Sequence, residues 1–183
     1  FFQISTMQTR HQDRSAYFEE TATSCRNYYL PYIEQHTSLK FGRNCRVMEV
    51  GCGIGGILSI FAAMGATVTV IDIHKPSIET AKTLFAERGL KGTFICSDIF
   101  DYSDTQPYDL IILHDALEHI PEKERLMLHL KSFLKADGLL YLGFPAWQMP
   151  FGGHQQMAKN RIIANCPYIH LLPRSLFRFV FRA

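Results

Sequence analysis

The chain predicts an α/β fold with a doubly wound, mostly parallel sheet. Three observations carry that expectation. Short, near-continuous apolar runs recur between residues 46 and 145, as strands buried on both faces require. Segments with helical periodicity separate them, which implies βαβ units with right-handed crossovers. Gly and Pro fall where those helices open and close.

In order along the chain, Asp13 to Ile33 reads as a helix. Tyr17, Phe18, Ala22, Cys25, Tyr28 and Tyr29 recur at three- and four-residue spacing, with Pro31 marking a break or restart. RVMEV (46–50) is a strand, and GGILSIFAAMG (55–65) a helix stopped by Gly65. ATVTVID (66–72) is the second strand. KPSIETAKTLFAERG (75–89) is a helix with Pro76 in its first turn and Gly89 past its end. GTFICSD (92–98) and YDLIILHD (108–115) are strands. PEKERLMLHLKSFLKADG (121–138) reads as a helix closed by Gly138, and LLYLGFP (139–145) as a fifth strand. The organisation expected is an N-terminal helical cap (1–44), an α/β core (45–145), and a loop and C-terminal helix (146–183) of the same domain.

Bulk properties exclude several function classes. A chain of 183 residues, 47% hydrophobic and 20% charged, suits one globular domain. A net charge of +2 with interspersed signs gives no nucleic-acid face. Cys25, Cys45, Cys52, Cys96 and Cys166 form no CxxC pair, which argues against a disulfide framework and a structural zinc site. No metal site is expected, and a reducing compartment, the cytoplasm, is. No apolar run approaches the roughly 18 residues of a membrane span, and no signal-peptide pattern opens the chain.

VMEVGCGIGG (47–56) carries the chemistry. In a doubly wound sheet the ligand lies beyond the carboxyl ends of the strands, and the turn after the first strand faces that crevice. Glycines let a ligand touch the main chain, and the following helix offers unpaired N–H donors. Two templates fit. Gly51-x-Gly53-x-x-Gly56 is a dinucleotide fingerprint; Gly51-x-Gly53-x-Gly55 preceded by the acid Glu49 is another. Asp72, ending the second strand, stands where a carboxylate accepts ribose hydroxyls. Glu49 suits a ligand carrying an ammonium group and would repel a pyrophosphate. Asp98, ending the third strand, is placed to accept from an adenine amino group. A carboxylate after each of three strands points to a cationic, adenosine-containing ligand without phosphates.

VMEVGCGIGG, VTVID, FICSDIFD, YDLIILHDALEHIP and LKADGLLYLGFP follow one another in an order and spacing that resembles class I S-adenosylmethionine-dependent methyltransferases. Within these, the chain is similar to the methyltransferase-domain group that includes ubiquinone- and menaquinone-pathway enzymes, over about Arg46 to Pro145. The resemblance implies a sheet order of 3-2-1-4-5 and S-adenosylmethionine as cofactor. It implies Glu49 near the methionine amino end and Gly51, Gly53 and Gly55 under the methionine and ribose parts. It implies Asp72 on the ribose with Ile73 beside it, Asp98 and Ile99 framing the adenine, and His114 on the sulfonium side. The family's final antiparallel strand pair has no readable counterpart, and the chain opens on Phe1, so a truncated chain is expected.

Transfer from a sulfonium needs alignment above all, and a base only where the acceptor is protonated. The base candidates are His114, His119 and His154. Asp115 and Glu118 lie beside the first two; Glu118 and His119 serve equally well as caps of a turn. FPAWQMPFGGHQQ (144–156) reads either as an acceptor lid ending in His154 or as a packed loop. Arg174, Arg178 and Arg182 amid Phe177, Phe179 and Phe181 read as a basic face or a helix end lacking its partner. A small-molecule acceptor is expected. The rivals are an NAD-dependent oxidoreductase and a cofactor-binding protein without turnover.

Overall fold

The computed structural model describes residues 13–151, 161–173 and 175. The chain divides into two compact units, Phe1–Gly143 and Phe144–Ala183.

The first unit holds a five-stranded parallel sheet: β1 (Arg46–Val50), β2 (Thr67–Asp72), β3 (Thr93–Cys96), β4 (Tyr108–His114) and β5 (Leu134–Gly143). The order is β3-β2-β1-β4-β5, as expected, so strand order reverses between β1 and β4. Among the described residues no antiparallel strand pair joins the sheet. The period of two sends alternate residues to opposite faces. Val47, Val70 and Ile112 pack with Leu58, Phe61 and Phe85 on one side. Met48, Ile71 and Ile111 pack with Leu126 and Leu130 on the other. Each such side chain, fully buried, contributes about 1.5–3 kcal/mol. Double-sided burial is why these strands read as unbroken apolar runs.

Three helices connect the strands: α3 (Gly56–Ala63), α4 (Lys75–Glu87) and α5 (Lys123–Ser132). Upstream, α1 (Arg14–Ser24) opens with Asp13 accepting the Ala16 N–H at 3.0 Å. It continues through a π-helical turn (Cys25–Tyr29) into α2 (Leu30–His36). Pro31 lacks an N–H and its ring crowds the carbonyl four residues back; the wider π turn absorbs both effects without ending the helix. Helix α1 lies against α3 at Gly56, where a Cβ would meet the Phe18 carbonyl oxygen at 2.5 Å and the Thr21 side chain. Arg88, past the end of α4, pairs with Glu19 at 2.6 Å and covers the Phe18 ring.

Two strands differ from expectation: β3 stops at Cys96, leaving Asp98 to cap the 3-10 turn beyond it, and β5 starts earlier. LKADG belongs to β5 rather than to the end of α5, which stops at Ser132 with Phe133 buried behind it. Leu134 pairs with Tyr108 and Leu139 with Leu110, so the intervening residues bulge out of the ladder. Gly138 marks that bulge, where a Cβ would lie 2.8 Å from the Tyr108 carbonyl oxygen. At the amino end of the sheet, Asp104 takes the Arg46 guanidinium at 2.7 Å and the Tyr108 hydroxyl at 2.7 Å.

In the second unit, α6 (Arg161–Asn165) precedes a short 3-10 turn, Ile169–Leu171. His170 is buried there, edge-on to the Trp147 ring, with its Nε2 2.5 Å from the Trp147 carbonyl oxygen. His154, Arg178 and Arg182 lie outside the described residues, as does Arg174.

Candidate functional site

The turn after β1 is built on left-handed glycines: Gly51, Gly53 and Gly55 have φ of 70°, 53° and 79°. A Cβ on Gly51 would stand 2.5 Å from the Ala116 Cβ, so only glycine lets the turns after β1 and β4 meet. Gly53 faces open space, whereas Gly55 faces Phe85 and Ala81 in the core. Asp72 pins this turn. Its Oδ2 accepts the Gly53 N–H at 2.9 Å and its Oδ1 accepts the His74 N–H at 2.8 Å.

Beyond the carboxyl ends of β1 to β4 lies a cavity of about 490 Å³. Gly51, Asp72, Ile73, Asp98 and Ile99 line it together with Asp115 and His119. Among the described residues its wall carries the carboxylates of Asp72, Asp98, Asp115 and Glu122 and no lysine or arginine. Ile73 is 74% exposed, an apolar ledge beside Asp72, while Ile99 is buried. Asp98 caps the 3-10 turn Ile99–Asp101 through Oδ1, which accepts the Phe100 N–H at 2.9 Å. His129 on α5 sits 2.8 Å from the Ile99 carbonyl oxygen and ties that turn to the helix.

Glu49 stands behind the cavity wall rather than in it. It shares the face of β1 that Val47 uses, 2% exposed, and its Oε2 has no hydrogen-bond partner among the described residues. Burial, reinforced by the nearby Asp72 charge and opposed by a main-chain hydrogen bond at Leu58, pushes its carboxyl up to about 8. Burial also raises the Tyr17 phenol, with Asp115 and Glu49 adding to it, so α1 brings a hydroxyl close to both acids.

His114 ends β4, with Nδ1 3.4 Å from Asp115 Oδ2. The Tyr29 ring packs on its imidazole at a centroid distance of 4.8 Å. Asp115 has φ of 51°, one of two non-glycine residues with positive φ among the described residues, and such conformations cluster at functional sites.

The cavity thus gathers Gly51, Asp72, Ile73, Asp98, Ile99 and His119; Glu49, Gly53, Gly55 and His114 do not line it. Phe100 and Glu122 are lining residues that the sequence did not single out. Phe100 stood inside the quoted FICSDIFD segment, and Glu122 read only as a helix start.

The chain's residues fit a cationic adenosine ligand. Among the described residues the wall is acidic and holds no lysine or arginine, Gly53 has no side chain to crowd a ligand, and the buried Glu49 holds an oxygen without a hydrogen-bond partner. Comparison with known proteins agrees. A family model described as a methyltransferase domain matches residues 41–177. A ubiquinone biosynthesis O-methyltransferase of Actinobacillus pleuropneumoniae is 37% identical over 119 residues, covering 61% of this chain and 50% of that protein. One from Coxiella burnetii is 37% identical over 114 residues, covering 61% of this chain and 47% of that protein. The chain therefore spans about half the length of the curated relatives it matches. In fold it is similar to an S-adenosylmethionine-dependent methyltransferase from Clostridium acetobutylicum, with a TM-score of 0.60, 16% identity, and coverage of 70% of this chain and 51% of that one. It is also similar to coclaurine N-methyltransferase solved with N-methylheliamine and S-adenosylhomocysteine, with a TM-score of 0.55, 23% identity, and coverage of 62% and 34%. By its family match, its sheet order and its glycine–acid turn, the chain belongs to the methyltransferase-domain family of class I, S-adenosylmethionine-dependent fold.

Proposed function

We propose that the protein moves a methyl group from S-adenosylmethionine to a small-molecule acceptor by in-line displacement. The observation that carries this reading is the cavity wall, which among the described residues holds four carboxylates and neither lysine nor arginine. A dinucleotide would bring its pyrophosphate against those acids, whereas a sulfonium cofactor carries no phosphate for them to repel. Asp72 and Ile73 would take the ribose side, Asp98 and Ile99 the adenine, and Glu49 the ammonium end. Gly51 and Gly53 supply bare main chain, and Gly55 supports the turn from the core side.

The bound cofactor supplies an activated methyl group, so the protein's task is alignment. Where the acceptor carries a proton, His114 would receive it, a reading supported by Asp115 beside its Nδ1. His119, in the cavity wall, is the alternative receiver, and His154 remains a candidate from the sequence alone. The names of the sequence relatives favour oxygen over nitrogen or carbon as acceptor atom. Five free thiols support a reducing, cytoplasmic setting. No described helix is long and apolar enough to cross a membrane.

Calorimetric titration with S-adenosylhomocysteine, and with NAD in parallel, tests the reading. Micromolar binding of the first and none of the second is expected. Binding of NAD alone overturns it.

A further inference from the structure

We propose that Gly143 and Tyr29 are positioning residues which clamp the His114 imidazole in one orientation beside Asp115, which lines the cavity. The proposal rests on the reading of His114 as the proton acceptor, but the clamp itself stands on geometry. Gly143 is the direct cross-strand partner of His114 on β5. A Cβ on Gly143 would lie 2.6 Å from His114 Cδ2 and 3.4 Å from both Cγ and Nε2. No imidazole tolerates that contact, so the ring occupies the space that glycine leaves empty. The Tyr29 ring closes the slot, its centroid 4.8 Å from that of His114 and tilted by 34°. Tyr141 backs Tyr29 at 5.8 Å.

Two further features make the slot specific. Tyr29 is the last residue of the π turn, and the wider turn rotates it relative to a regular helix, bringing it over His114 while Tyr28 and Tyr32 stay exposed. The ladder then closes with the Asp115 N–H donating to the Gly143 carbonyl at 2.9 Å. That bond fixes the backbone on which Asp115 adopts its left-handed φ and approaches His114 Nδ1. A ring confined at its Cδ2 by Gly143 and packed against the Tyr29 ring loses rotamer freedom before any acceptor arrives, which is how a general base is kept within reach of its proton.

The test is Gly143→Ala, made in a β-strand whose backbone alanine tolerates. Tyr29→Leu is the second variant, removing the opposite wall without adding atoms beside the ring. His114 is one of eight histidines, and its imidazole nitrogen signals are assigned by NMR with a His114→Gln control. In both variants the His114 signals are expected to move, while affinity for S-adenosylhomocysteine holds. On an identified acceptor, kcat falls by about 10²-fold, the scale of a misplaced general base, with the low-pH limb of its profile displaced. Tyr29→Phe, which keeps the ring, restores the His114 signature. Unaltered His114 signals in both Gly143→Ala and Tyr29→Leu overturn the clamp. If the signals move but kcat and its pH profile do not, the clamp stands and the base assignment fails instead. If Gly143→Ala does not fold, Tyr29→Leu decides alone.

Discussion

Replacing Glu49 by Gln removes an acid that the fold holds against its own preference, and the consequences are calculable. Burial first, then the Asp72 charge, lift the Glu49 carboxyl from 4.5 to about 8. At pH 7 about nine-tenths of the folded protein without ligand therefore carries this proton. Below about pH 4.5 the group is protonated both folded and unfolded and costs nothing. Between that value and about 8 the unfolded chain releases the proton while the folded chain keeps it. Stability then falls by about 1.4 kcal/mol per pH unit, and the loss is complete above the folded value. A ligand that sets an ammonium group against Glu49 reverses the preference, because the ionised carboxylate is the form it attracts. Binding near pH 7 then releases close to one proton, and affinity rises about tenfold per pH unit up to roughly 8. Calorimetry of S-adenosylhomocysteine in two buffers of different ionisation heat reads that proton directly; denaturant melts across the same pH range read the stability slope. Glu49→Gln is expected to abolish both. Equal heats in the two buffers, with parallel stability curves for wild type and Glu49→Gln, would refute the placement of the ammonium and the buried proton together.

Two further predictions concern the frame around the site. Gly56→Ala lies in a helix with no positive φ, where the exchange ordinarily gains about 0.5–1 kcal/mol. Here the new Cβ meets the Phe18 carbonyl of α1, so urea midpoints should instead show a loss of about 1–3 kcal/mol; a gain would mean that α1 does not press on α3. Burial alone would raise the Asp104 carboxyl, but hydrogen bonds from the Gln106 main chain, Tyr108 and Tyr102, with the Arg46 charge, bring it down to about 2. Its stabilising contribution is therefore present above about pH 3.8 and lost as pH falls toward 2, so Asp104→Asn should flatten that part of the acid-unfolding curve.

Much of the fold was legible because parallel strands buried on both faces leave a simple trace. β1, β2 and β4 begin and end within a residue of their apolar runs. The start of β5 was not legible. Lys135, Asp137 and Gly138 look like the polar, glycine-stopped end of a helix, and only the pairing of Leu134 with Tyr108 shows that they bulge from a strand. Pro31 announced an interruption but not its form, since a π turn and a helix break carry the same proline. In the site, Asp72 was readable from its position at a strand end, whereas Asp98, expected to end β3, lies two residues past it as the cap of a 3-10 turn. The burial of Glu49 follows from its sharing a face with Val47, although its position behind the cavity wall does not. Phe100 and the His129 tie to Ile99 depend on 3-10 turns, whose short length leaves no periodicity to read.

Asp72 joins two properties usually thought of separately. The carboxylate proposed to meet a ribose is also the clip holding the Gly53 and His74 main chain, so recognition and loop integrity would share one side chain. A substitution there alters the ligand contact and the shape of the floor beneath it in a single step. For anyone redesigning cofactor preference in this domain, that position is a poor lever. Ile73, exposed beside it, meets the Cys96 thiol only through its main-chain carbonyl, so its side chain can be varied while the turn keeps its form.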